Sequence, residues 1–241
     1  MNLSDNIQIP MYYLVISLVI CICLIWLNKR VRQQRLNIKI ALDTAFIIMM
    51  ASVVGARLFH VFYESPELYL DNPVAIFYIW NGGFVFYGGA LLAVLCGSLY
   101  VFWKARSHLR KYMDLFAPVG SLAYGLGRWG CFFAGCCYGK FCELPWAIAG
   151  RHPTQIYASL WELGALSLLF ALEKSPRKKE GQVFFLWITL HALGRLMMES
   201  FRDDFRGPSV GLSISSWISI AILGAGLVGL FHTRRVLSKK S

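Results

Sequence analysis

One charged residue interrupts a long uncharged run. Tyr124–Gly139 reads YGLGRWGCFFAGCCYG, and Arg128 is its single charge. Insertion scales place a guanidinium at the centre of a membrane helix at about +2.5 to 3.5 kcal/mol. Such a residue persists where it faces a protein interior or a wet cavity and has a partner. Two further arginines, Arg57 and Arg195, also fall inside apolar runs. Three cations against few acids suit an anionic ligand, and a membrane protein meets phosphate most often as a phospholipid headgroup. The bland alternative is a set of structural ion pairs locking helices together.

A second group lies in HALGRLMMESFR. At 100° per residue, His191, Arg195, Glu199 and Arg202 fall within about 80° of one another, one polar stripe on an apolar helix. Arg195 and Glu199 are spaced to pair at i,i+4. A third is WNGGFVFYGG, where Gly82, Gly83, Gly88 and Gly89 flank Tyr87. Glycine pairs let a backbone approach an anion or an acyl-glycerol, and they serve equally as packing and turn devices. Tyr87 is placed as a hydrogen-bond donor or as an interfacial anchor. Cys131, Cys136, Cys137 and Cys142 follow C-x4-C-C-x4-C, which is not a standard zinc pattern. A disulfide from Cys136 or Cys137 to Cys142, free structural thiols, and metal, redox or catalytic use all remain open. HPTQIY contributes His152, as a proton shuttle or an interfacial cap.

The elements that position these residues follow from composition. Hydrophobic residues make up 57% of 241, and only 15% are charged. Mean hydropathy is +0.53, which excludes an ordinary soluble domain. The net charge of +11 would suggest nucleic acid in a soluble chain. Here it asks which side of a bilayer the basic residues occupy, and no nucleic-acid partner is expected. Apolar runs predict seven spans at about Pro10–Leu27, Ile40–Tyr63, Gly88–Trp103, Met113–Ala134, Thr154–Leu172, Gln182–Phe201 and Val210–His232. Val74–Tyr87 is too broken by glycine to span and reads as a loop lining a cavity.

Seventeen of the twenty-four Lys and Arg follow spans one, three, five and seven, and four lie on the opposite side. That bias predicts an outer amino terminus and a cytoplasmic carboxyl terminus. Arg57, the glycine loop, Arg128 and the sixth-span charges then all lie toward the outer face. Acidic rather than basic residues precede the first run, so no cleavable signal is expected. No internal repeat is visible, which weakens a transporter built of duplicated halves. The expectation is an all-α integral membrane protein with residues 1–241 as a single polytopic domain.

Five ordered pieces resemble the bacterial prolipoprotein diacylglyceryl transferase family: GARLFHVFY, WNGGFVFYGG, GLGRWGCFFAGCCYG, RHPTQIY and GRLMMESFR-x-x-x-x-x-P. Together they run from about Arg57 to Pro208. The resemblance implies an enzyme of the bacterial inner membrane with its site toward the periplasm. Such an enzyme moves the diacylglyceryl group of phosphatidylglycerol to the lipobox cysteine of a prolipoprotein, and glycerol phosphate leaves. It maps the family's phospholipid-binding arginine to Arg128 and the sixth-span pair to Arg195 and Glu199, and these with Tyr87 are the expected catalytic residues. With Arg128 and His152, which the resemblance maps, Arg57, Gly82, Gly83, Gly88, Gly89, Gln155, Tyr157 and Arg202 are the expected substrate-binding residues. Glu199 is a general base or an orienter of Arg195. Phosphatidylglycerol and prolipoprotein signal peptides are the implied partners, and neither a cofactor nor a metal is implied. The chain departs from the family at three positions. Tyr87 stands where histidine is usual, Cys131 where asparagine is, and Cys136 about where glutamate is. The insertion before His152 is also shortened. Two rival readings keep the site: the same donor with another acceptor, or a lipid-binding or transport protein without chemistry.

Overall fold

The computed structural model describes residues 11–78, 82–203 and 211–235. Among them are seven helices of 18 residues or more: α1 (Met11–Gln33), α2 (Ile38–Phe59), α4 (Phe86–Ala105), α5 (Leu109–Phe133), α6 (Thr154–Glu173), α7 (Gln182–Glu199) and α8 (Ile214–Arg235). A short α3 (Pro66–Asp71) follows a widened turn that closes α2 at His60–Glu64. Among the described residues, five segments are long and apolar enough to cross a membrane. One of them, Phe86–Phe133, contains both α4 and α5. The polar stripe of α7 keeps it off that set, since His191, Arg195 and Glu199 lower its hydropathy. The broken segment Val74–Tyr87 is not a span: it holds the tight turn Pro73–Phe77, and α4 begins only at Phe86. Trp80 and Asn81 of the glycine motif, and Arg206 and Pro208 of the last motif, lie outside the described residues.

Backbone contacts divide the chain into two compact units, Asn28–Met113 and the remainder. In the first, the side chain of Asn37 starts α2 by accepting from the backbone N–H groups of Lys39 and Ile40 at 2.9 and 3.3 Å. The helices α2 and α4 pack through glycine. A Cβ at Gly55 would stand 2.4 Å from the Gly88 carbonyl oxygen, and one at Gly88 2.5 Å from the Gly55 carbonyl oxygen. The two backbones therefore touch, as small residues permit inside a membrane.

The second unit has its apolar centre at Ala117, Leu169 and Val183, from α5, α6 and α7. Leu172, Phe184, Leu186 and Trp187 pack around it. Asp114 of α5 joins the helices at their other end. Its carboxylate accepts from the N–H groups of Gly181 and Phe184 at 2.8 and 3.0 Å, satisfying donors that the first turn of α7 leaves orphaned.

Candidate functional site

Arg128, Arg195 and Arg202 line one small cavity, together with Cys137 and Met198. Thr154 and Ala158, from the first turns of α6, complete its wall. Each arginine arrives from a different place. Arg128 is near the carboxyl end of α5, Arg195 sits on α7, and Arg202 follows the end of α7.

Arg128 is oriented by its own helix. Its Nη2 donates to the Tyr124 hydroxyl one turn earlier. The guanidinium carbon lies 4.5 Å from the centre of that ring. The Nε of Arg128 is buried and has no hydrogen-bond partner, so one donor remains available. Tyr124 in turn packs edge-on against His191, ring centres 4.5 Å apart. His191 Nδ1 lies 3.0 Å from one carboxylate oxygen of Glu162, and the indole N–H of Trp187 donates to the other at 2.8 Å. Glu162 is 1% exposed. This acid was not singled out from the sequence. The available signal was a lone carboxylate in the middle of the fifth apolar run, which is a functional flag by itself.

Arg195 and Glu199 do pair, Nη1 to Oε2 at 3.2 Å. That nitrogen is close to the carboxylate without hydrogen-bond alignment, whereas Nη2 donates to the Ser215 hydroxyl at 3.2 Å. Glu199 also accepts from the Ser213 and Ser215 hydroxyls. The carboxylate thus contacts two serine hydroxyls and a guanidinium.

The segment between α5 and α6 is pinned to this cavity. Gln155 donates to the Cys136 carbonyl and Thr154 to the Cys137 carbonyl, both at 2.6 Å. Gly139 bridges to Arg202, and a Cβ there would stand 2.6 Å from the His152 carbonyl oxygen. Only glycine fits. His152 packs against Phe201 and Tyr157, with its Nδ1 3.4 Å from the Tyr157 hydroxyl. Arg151 lies 3.8 Å over the Phe141 ring and pairs with Asp203 at 3.4 Å. The Sγ atoms of Cys131, Cys136 and Cys137 all lie within 4.8 Å of one another. Hydrogen bonds from the Cys131 and Cys136 thiols push Cys137 well below the usual thiol range, aided by Arg202 and Arg128. The same bonding pushes Cys136 up.

The other unit treats its arginine differently. A guanidinium has five N–H donors. For Arg57 these meet five backbone carbonyls: Nε on Ile76 at 3.1 Å, Nη1 on Gly82 and Gly83, and Nη2 on Ala75 and Tyr78. Tyr69 and Phe84 sit beside the guanidinium carbon at 5.3 and 5.9 Å. Gly82 and Gly83 are thus ligands of Arg57, Gly88 and Gly89 face α2, and Tyr87 packs edge-on against Phe86.

The fold and cavity define a helical protein with apolar helices long enough to cross a membrane and a cation-lined pocket. Comparison with known proteins gives the family. The family model described as prolipoprotein diacylglyceryl transferase matches residues 1–232. A phosphatidylglycerol–prolipoprotein diacylglyceryl transferase of Clostridium tetani is 32% identical over 239 residues, covering 94% of this chain and 92% of the relative. Proteins of the same name from Streptococcus suis (32%, covering 86% and 80%) and Paracidovorax citrulli (34%, covering 80% and 76%) are similar. The chain belongs to the prolipoprotein diacylglyceryl transferase family.

Proposed function

We propose that this chain transfers the diacylglyceryl group of phosphatidylglycerol to the lipobox cysteine thiol of a prolipoprotein. The observation that carries this reading is the convergence of Arg128, Arg195 and Arg202 on one cavity. The headgroup phosphate binds among these guanidiniums. Arg128 and Arg195 hold it and offset the charge that develops on glycerol phosphate as it leaves. Glu199 and Ser215 fix the plane of Arg195, and Tyr124 fixes Arg128. His152, Gln155 and Tyr157 shape the neighbouring wall. Arg57 is a positioning residue, holding the carbonyls of Ala75, Ile76, Tyr78, Gly82 and Gly83 in place.

The seven long helices act as seven spans, and the basic bias sets the amino terminus outside and the carboxyl terminus in the cytoplasm. The cavity then opens toward the periplasmic side of a bacterial inner membrane. The outer leaflet supplies phosphatidylglycerol, and an emerging signal peptide supplies the thiol.

Purified protein, phosphatidylglycerol vesicles and a synthetic lipobox peptide test this directly. A diacylglyceryl adduct on the peptide cysteine, seen by mass spectrometry, is expected, and it should vanish with Arg128→Ala. Release of glycerol phosphate without an adduct would keep the donor and replace the acceptor. Vesicle binding without either product would leave only a lipid binder.

A further inference from the structure

We propose that Cys131, Cys136 and Cys137 bind one divalent ion of the zinc class, leaving a fourth position open to the acceptor thiol. This inference rests on the reading of the reaction as alkylation of a thiol. Zinc–sulfur bonds of about 2.3 Å put tetrahedral sulfur ligands about 3.8 Å apart. The three Sγ atoms already lie within 4.8 Å of one another, so closing on an ion needs only small side-chain shifts.

The chain goes to some length to gather them. Cys131 sits in the last turns of α5. The backbone then reverses through Gly135 in the left-handed region, with the N–H of Cys136 returning to the Cys131 carbonyl at 3.2 Å. Cys137 is itself left-handed, at φ 60°. A non-glycine residue pays a steric cost there, so the surroundings must hold it in place. Thr154 and Gln155 do so through the Cys136 and Cys137 carbonyls, and both are buried, at 3% and 6% exposed. The turn is clamped through its carbonyls, while the Cys136 thiol already turns toward Cys131, donating to its carbonyl at 3.6 Å.

The cavity explains what such an ion would do. Cys137 lines it beside Arg128 and Arg202, yet no carboxylate or imidazole is among its lining residues. The nearest acid of the stripe, Glu199, is enclosed by Arg195, Ser213 and Ser215. A free thiol is mostly protonated at neutral pH and a poor nucleophile. Coordination to a divalent ion removes its proton outright. Three protein ligands plus one open position is the pattern of catalytic rather than structural zinc. Three thiolates on a divalent ion leave one net negative charge, which Arg128 and Arg202 offset.

The step balances. The acceptor thiol enters the open position and its proton goes to water. The thiolate pair forms the sulfur–carbon bond to the diacylglyceryl carbon, and the carbon–oxygen bond to phosphate breaks. That electron pair stays on the oxygen of glycerol phosphate, whose added charge is met by Arg128 and Arg195. The thioether product is neutral and a weak ligand, so it departs.

The full chain, purified in detergent under reducing conditions and equilibrated with Zn2+, should retain about one ion per chain after passage over a chelating resin. Cys142→Ser, outside the cluster, should retain it too. Cys136→Ser and Cys137→Ser should lose about tenfold or more of that affinity while keeping wild-type helical circular dichroism. In Co2+-loaded protein, adding a lipobox peptide should intensify the sulfur-to-cobalt charge-transfer band, and the peptide with serine for cysteine should not. No retained Zn2+, equal retention by the serine variants, or a disulfide within the cluster of active protein overturns the proposal. Lipidation by metal-stripped protein overturns it too, while the transferase reading stands. A stoichiometric ion with no lipidation of any peptide removes the transferase reading and keeps the site.

Discussion

Arg57 and Arg128 are the same residue type, each set within an apolar helix, and the chain uses them in opposite ways. Every donor of Arg57 ends on a backbone carbonyl between Ala75 and Gly83. Arg128 has one side-chain hydrogen bond, to Tyr124, a donor left over at Nε, and a place in the wall of a cavity that it shares with Arg195 and Arg202. The cost of sinking a guanidinium in an apolar environment is similar in both cases. What differs is the destination of the N–H groups. A buried arginine whose donors all meet carbonyls organises a loop; one that lines a cavity and keeps a donor unpaired is available to an anion.

Arg128→Ala is the strongest way to test that contrast. It should lower kcat/KM by about 10³-fold, or about 4 kcal/mol of transition-state stabilisation, without lowering the thermal midpoint. Arg128→Lys should recover only part, because an ammonium cannot present a planar fork to phosphate. Full activity in Arg128→Ala would place the phosphate elsewhere.

Arg57→Ala should fail in the other currency. Five carbonyls lose their donor, and the expected loss is about 3 kcal/mol of stability, a fall in Tm of about 6–12 °C. Turnover per folded molecule should stay within about threefold of wild type. Lysine cannot supply five donors, so Arg57→Lys should be nearly as unstable. A stable Arg57→Ala protein with a tenfold higher KM for phosphatidylglycerol would erase the distinction between the two arginines.

Glu199 refines it. If the carboxylate only orients Arg195, Glu199→Gln keeps the hydrogen-bond shape and loses the charge. The expected outcome is a fall in kcat/KM of about tenfold, with the pH profile unchanged. A general base would instead lose about 10³-fold and take the acidic limb of the profile with it.

Much of this was legible in the sequence, for identifiable reasons. Helix ends follow from apolar periodicity and capping residues, so Thr154 opens a helix as expected and α7 carries its polar stripe. The Arg195–Glu199 pair follows from i,i+4 spacing alone. The fates of Arg57 and of Gly88 were hidden because their partners are backbone atoms, which carry no residue-type signature. Cys131, Cys136 and Cys137 have an unfamiliar spacing because the turn that gathers them depends on left-handed backbone at Gly135 and Cys137. Glu162 is one acid in an apolar run, and its partners Trp187 and His191 arrive 25 and 29 residues later. Nothing local announces such a triangle.

That triangle supplies the smallest and most discriminating effect. Glu162 is not among the residues that line the cavity; its side chain's path to Arg128 runs through His191 and the edge-on ring of Tyr124. Glu162→Gln preserves one acceptor, for the Trp187 indole, and weakens the contact to His191. The loss should be about 1 kcal/mol, roughly fivefold in kcat/KM. Tyr124→Phe removes the hydroxyl that accepts from Arg128 and should cost a similar factor. If the two act along one path, the double variant loses no more than the worse single variant, because the link is already broken. If Glu162 merely stabilises the helix packing, the losses multiply and Tm falls with each substitution. Multiplying losses would confine Arg128's orientation to its own helix and detach the buried acid from the chemistry.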